Sequence, residues 1–118
     1  MDTEVKELSI NGIPHVPKGT TEEVKGDYVI VRTYSAGVFA GYLKRRDGQE
    51  VELKDARRIW YWTGAATLSQ LAMEGTSSPD TCKFPCEVVE IILMQAIEII
   101  PCTEKARKSI QGVKVWQS

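Results

Sequence analysis

Two guanidinium groups and three large aromatic rings fall together in Ala56-Arg57-Arg58-Ile59-Trp60-Tyr61-Trp62, and the loop Thr63-Gly64-Ala65-Ala66-Thr67 follows directly. Aromatic faces stack on flat groups, and an arginine fork meets two phosphate oxygens at once in a geometry that lysine cannot copy. Stacking one base is worth about 1–3 kcal/mol. Two stacks and one charged contact in a preformed pocket reach roughly micromolar affinity. On this reading Arg57 or Arg58 holds phosphate and Trp60, Tyr61 or Trp62 stacks the base. Thr63, Gly64 and Thr67 add donors, because their loop runs into a helix start whose free amides and dipole favour an anion. Arg32 and Tyr34, on one face of an earlier strand, either complete the pocket if the sheet is a meander or form an ordinary cross-strand pair. If 56–62 is a strand, Arg58, Trp60 and Trp62 share one face while Arg57, Ile59 and Tyr61 share the other. The competing reading buries the rings in the core or in a subunit interface and lays an arginine over them with its charge in water.

Other chemistries find no support. The single histidine, His15, lies far upstream, and no motif brings a base to a serine or cysteine, so no catalytic residue is expected. No Gly-rich phosphate loop occurs. Glu87, Glu90 and Glu98 are spread along an apolar run as one wet face, not paired as an acid and a base across a cleft. Cys82 and Cys86 are spaced to give half a zinc shell, but the only other thiolate or imidazole donors are Cys102 and His15. No metal and no cofactor is therefore expected, and the thiols should be reduced.

A core of one domain must position these groups, since 118 residues suffice for one and not for two. Fifteen basic residues stand against sixteen acidic ones, which argues against a long nucleic acid or an anionic membrane as partner. No apolar stretch reaches the roughly 20 residues of a membrane span, and the start lacks a signal-peptide pattern, so a cytosolic location is expected. Asn11-Gly12 between short apolar runs predicts a small β-hairpin at 7–17, and the polar stretch after it reads as a linker, giving an N-terminal appendage over 1–26 and a main domain over 27–118.

Within that domain, strands are expected from Tyr28 to Tyr34, Val38 to Arg46, Glu50 to Lys54 and Ala56 to Trp62, forming an antiparallel meander with turns at Ser35-Ala36-Gly37 and Asp47-Gly48. Lys44-Arg45-Arg46 faces Glu50 and Glu52 across a turn and reads as a solvated edge. Thr67-Leu68-Ser69-Gln70 fits a capping box opening a helix that stops at Gly75, and Thr103 caps a second short helix ended by Gly112. Residues 87–100 allow helix or strand, with strand favoured by alternation, and Val113 to Trp116 is a plausible last strand. The fold class is α+β.

At Val29-Ile30-Val31-Arg32-Thr33-Tyr34-Ser35-Ala36-Gly37-Val38, at 56–72, and through Ala96-Ile97-Glu98-Ile99-Ile100-Pro101-Cys102-Thr103 to Trp116, the chain resembles a group of small tailed-phage proteins classed as a domain of unknown function. The opening Ile10-Asn11-Gly12-Ile13-Pro14-His15-Val16-Pro17-Lys18 is similar to a hairpin that begins many unrelated phage proteins. The resemblance implies an accessory protein made during infection and acting in the host bacterial cytoplasm. Small non-catalytic phage proteins of this size include sponges that sequester nucleotide immune signals, generally as homo-oligomers. That analogy agrees with a small nucleotide-type ligand. The alternative is an interaction module that blocks a host factor or acts in virion assembly through the same aromatic segment.

Overall fold

The structure is a computed structural model describing residues 26–117, so the hairpin expected at 7–17 and the linker up to residue 25 lie outside the described residues. The β-branched run Tyr28–Thr33 forms β1, and Gly37, at φ 105°, lets the chain return as β2, Val38–Asp47. Gly48, at φ 62°, closes the next turn into β3, Glu50–Arg58. Helix α1, Leu68–Glu74, follows, then a 3₁₀ turn at Pro79–Thr81. The ambiguous run 87–100 is extended and splits into β4, Val88–Leu93, and β5, Ala96–Pro101. Helix α2, Glu104–Gly112, completes an α+β fold. Thr67 and Thr103 cap the two helices, each accepting a backbone N–H at its hydroxyl.

The sheet is antiparallel with the order β4-β3-β2-β1-β5. The meander therefore has three strands where four were expected. No turn separates Lys54 from Ala56. Instead β3 runs on through a bulge at Asp55, whose φ of 50° an aspartate tolerates, and the ladder to β2 ends at Arg58. Beyond it only Tyr61 pairs, in a single bridge to Lys83, and Val115 likewise meets Phe84 in one bridge in place of a last strand.

Strands β4 and β5 lie at opposite edges of the sheet, yet only Met94 and Gln95 separate them in sequence. The sheet must curl to bring those edges together. Ala96 N donates to Gln49 O at 3.0 Å, and Tyr34 N donates to Gln95 O at 2.9 Å, so both hairpin turns reach that corner. A second bulge, at Lys44, and the close approach of Gly41 to Ala56 help the long β2 bend. The curled inner face packs Val29, Val31, Phe39, Val51, Leu53 and Leu93. Tyr28, Ile30 and Ala40 point the other way, into a second core under Leu71, Phe84 and Ile110. β1 is thus buried on both faces, which is why it reads as a continuous apolar run. Among the described residues no helix is long and apolar enough to cross a membrane.

One polar atom in this second core is unsatisfied. Tyr28 sits with its ring edge-on to Tyr42, 5.0 Å between centroids, and its hydroxyl is buried without a hydrogen-bond partner among the described residues. Burial raises its pKa, since the phenolate would be desolvated. Removing a stranded hydroxyl relieves its desolvation cost. Tyr28→Phe is expected to raise stability by about 1 kcal/mol in urea unfolding. A loss of stability would mean that the hydroxyl is bonded.

Candidate functional site

The structure separates the groups that the sequence placed in one pocket. Arg57 is 2% exposed and donates to three backbone carbonyls, Nε to Pro85 O at 2.9 Å, Nη1 to Ile110 O at 2.9 Å and Nη2 to Phe84 O at 3.1 Å. Its guanidinium also lies 5.5 Å from the Phe84 ring centroid. Burial lowers its pKa, offset in part by Tyr28, Glu87 and Cys86, but an arginine stays charged at any physiological pH. Its donors are committed inside the protein, so Arg57 is a structural clasp and not a phosphate ligand.

Arg58 points to the opposite face, with Cζ 4.6 Å from the Phe39 centroid and Nη1 3.1 Å from Ala36 O. Arg32 pairs with Glu98 at 2.9 Å, and Tyr34 is 77% exposed on the adjoining turn. None of these contacts joins them to Arg57 or to the tryptophans.

The Thr63–Thr67 loop is also spoken for. Thr63 O accepts from Thr76 Oγ1, and Gly64 O accepts from Ser77 N at 3.1 Å. Thr63 and Thr81 share a hydroxyl–hydroxyl bond. Thr67 Oγ1 caps α1 by accepting from Gln70 N, and Gln70 Oε1 accepts from Ala66 N at 2.8 Å. With seven residues, α1 is too short for a useful dipole. The loop is therefore a packed corner, in place of the anion cradle expected from Thr63, Gly64 and Thr67.

What survives is aromatic. Trp62 turns inward against the second core and donates Nε1–H to Ala65 O at 3.2 Å. Trp60 and Tyr61 remain outside, 58% and 47% exposed. The Tyr61–Lys83 and Phe84–Val115 bridges bring two distant segments beside them. Trp116 stacks on Trp60, 5.3 Å between centroids and 9° between planes. Lys83 Nζ lies among the three rings, 5.5 Å from Trp60, 5.7 Å from Tyr61 and 5.6 Å from Trp116. Each such contact is worth roughly 0.5–1 kcal/mol at an exposed site and holds the ammonium at the platform. Past Trp116 a cleft of about 420 Å³ continues between Pro79, Asp80, Cys82 and Lys114. Lys83, Lys114 and Trp116 escaped the sequence reading. The available signal was compositional, since Trp116 is the only indole outside 56–62.

This arrangement offers a flat π surface and ammonium groups, but no nucleophile with its base. Among the described residues, no group of three or more His, Cys, Asp or Glu side chains converges to hold a metal. Cys82 is buried and its Sγ donates to Thr63 O at 3.5 Å, while Cys86 is exposed. Burial pushes the Cys102 thiol up to about 11, leaving roughly one part in a thousand as thiolate at pH 8. A chromogenic disulfide reagent at that pH is expected to titrate one fast thiol, abolished by Cys86→Ser, and to reach the other two only in denaturant. Fast reaction of a second thiol would contradict this placement.

No curated protein and no solved structure matches the chain. The family model for the domain of unknown function DUF6948 matches residues 26–110, taking in all five strands and α1 and stopping within α2, short of Trp116, so the chain belongs to that family.

Proposed function

We propose that this is a non-catalytic accessory protein of a tailed phage, acting in the host bacterial cytoplasm, that binds and sequesters a small planar anionic ligand of the nucleotide class. The observation that carries the reading is the Trp60–Trp116 stack with Lys83 at its edge: exposed indole faces suit a base, and a tethered ammonium suits a phosphate. Lysines take the part first given to arginines, and Lys114 in the adjoining cleft supplies a second ammonium. A homo-oligomer is part of the proposal, because a second copy laid against the open platform would turn a surface into a pocket.

Calorimetry with a panel of linear and cyclic nucleotides tests this. Wild-type protein is expected to bind at least one of them at roughly micromolar Kd, and Trp60→Ala or Trp116→Ala to weaken it by about 1–3 kcal/mol, some 5- to 150-fold. Lys83→Ala should cost less and make binding less salt-sensitive. No wild-type binding to any member of the panel overturns the proposal.

The interaction-module reading has one observation in its favour: the rings stand open at the surface, as protein anchors do before a partner covers them. Stoichiometric recovery of a host or virion protein from infected cells, lost in Trp60→Ala, would replace the nucleotide reading. Turnover of any nucleotide in the panel would instead make the protein an enzyme.

A further inference from the structure

The curled sheet leaves a seam along the outer edge of β4, and a groove of about 370 Å³ follows it, lined by Phe39, Ile91, Ile92, Leu93, Met94 and Arg58 among others. Consecutive side chains of a strand point to opposite faces, so a hollow that touches Ile91, Ile92 and Leu93 in succession must run beside the strand edge, where the backbone itself is open. β4 pairs with β3 on its other side, and no ladder to β5 or any other described strand covers this edge. The edge is also apolar and exposed. Val89 is 76%, Ile92 52% and Met94 67% accessible, and the strand carries no proline and only one charge to discourage pairing.

Arg58 gives the groove a sign. Arg32, Arg45 and Arg107 each meet a carboxylate of this chain, at 2.6–3.2 Å. Arg58 meets none among the described residues. Its Nη1 is tied to Ala36 O and its Cζ lies 4.6 Å from the Phe39 ring centroid, which holds the guanidinium at the groove and leaves Nε and Nη2 without a partner among the described residues. The groove lining contains no aspartate or glutamate. An oriented guanidinium in an apolar trough without a counter-charge complements a carboxylate flanked by apolar groups.

We propose that this seam binds an extended peptide segment of a partner protein, which adds a strand to β4, presses apolar side chains onto Ile92 and Met94, and places one aspartate or glutamate side chain on Arg58. The backbone ladder supplies affinity and the carboxylate supplies selectivity and register. The acid comes from a side chain because Arg58 sits over a ring on the sheet face, where an added strand sends its side chains, not in line with its backbone. The site is separate from the Trp60–Trp116 platform and does not rest on it.

The test pans a random nonapeptide pool on the full chain and resynthesises the selected peptides with the acidic residue changed to its amide. Winners are expected to alternate apolar residues around a Glu or Asp. The Glu-to-Gln swap and Arg58→Gln should each weaken binding by about 10- to 100-fold, and the swap should cost almost nothing further in the Arg58→Gln protein. Arg58→Lys should recover only part of the loss, Lys105→Ala on α2 should leave peptide binding unchanged, and bound peptide should slow amide exchange across Val88–Leu93. No enrichment, winners without an acid, or an acid swap of equal cost in wild type and Arg58→Gln would each overturn the proposal. So would self-association: a doubled mass by light scattering with β4 amides protected without peptide would assign the edge to a second copy.

Discussion

Arg57→Met is expected to lose about 3–5 kcal/mol of stability, a large share of the roughly 5–15 kcal/mol that a domain of this size possesses. The guanidinium binds Phe84 O, Pro85 O and Ile110 O, and so ties β3 to the 84–85 segment and to the last turn of α2. That turn has no basic residue of its own, so Arg57 also supplies the positive charge that the carbonyl end of a helix favours. Methionine fills most of the volume but leaves those carbonyls short of a donor, at about 1–3 kcal/mol for a buried group left unpaired. Arg57→Lys should recover part of the loss, because one ammonium cannot reach three acceptors in a fixed fork. Urea unfolding followed by tryptophan fluorescence measures both, and the methionine variant should lower the midpoint by about 2 M. A change below about 1 kcal/mol would mean that the clasp is not formed and that Arg57 is available to a ligand after all.

The same residue shows what the sequence could and could not say. The β-branched run in Tyr28–Thr33, turn chemistry at Gly37 and Gly48, and threonine caps before both helices act within a few residues, and each was legible in sequence. The break imagined between Lys54 and Ala56 was not there, because an aspartate at positive φ can serve either as a turn or as a bulge that keeps a strand paired. Only the register with β2, a contact between distant residues, decides between the two. The bulge also sets which side Arg57 faces, with Ala56 in the inner core and Arg57 turned toward Phe84. Two neighbouring arginines of one type therefore end up in different environments, one in the core and one on a groove.

The aromatic platform was half legible for a similar reason. Trp60 and Tyr61 attract attention by their own crowding, but the groups that complete the site arrive from residues 83 and 116 through one bridge each. Such isolated pairings leave no period in a sequence. The charges of the β2–β3 hairpin were easier, since Arg45 meets Glu50 and Glu52 across a short turn and Lys44 meets Glu52 and Glu90, although β2 and β3 are inner strands of the sheet and not the edge expected from sequence. Exposed pairs of that kind contribute little to stability. Recognition, where this chain performs it, falls to the ring faces and side-chain donors that its own carboxylates and carbonyls leave over, such as those of Trp60 and the Nε and Nη2 of Arg58.

Gly64→Ala is expected to cost about 2–4 kcal/mol, for two separable reasons. Gly64 has φ 81°, outside the range L side chains adopt readily, and a Cβ there would lie 2.5 Å from Ser78 N and Thr76 Oγ1 and 2.7 Å from Ser77 N. Two of those three atoms are backbone, so the 76–78 turn cannot step aside without giving up the bonds from Ser77 N to Gly64 O and from Thr76 Oγ1 to Thr63 O. Gly48→Ala separates the causes. Its φ is 62°, but a Cβ there meets nothing within 4 Å, so only the backbone term of about 1 kcal/mol should appear. Equal losses at the two positions would mean that strain alone matters and that the corner can open. The predicted excess at Gly64 would instead show that the loop after the aromatic run is closed to ligands by its own packing. Trp60→Ala in the Gly64→Ala background should then be additive in stability, because among the described residues the platform and the corner share no side-chain hydrogen bond beyond the chain that joins them.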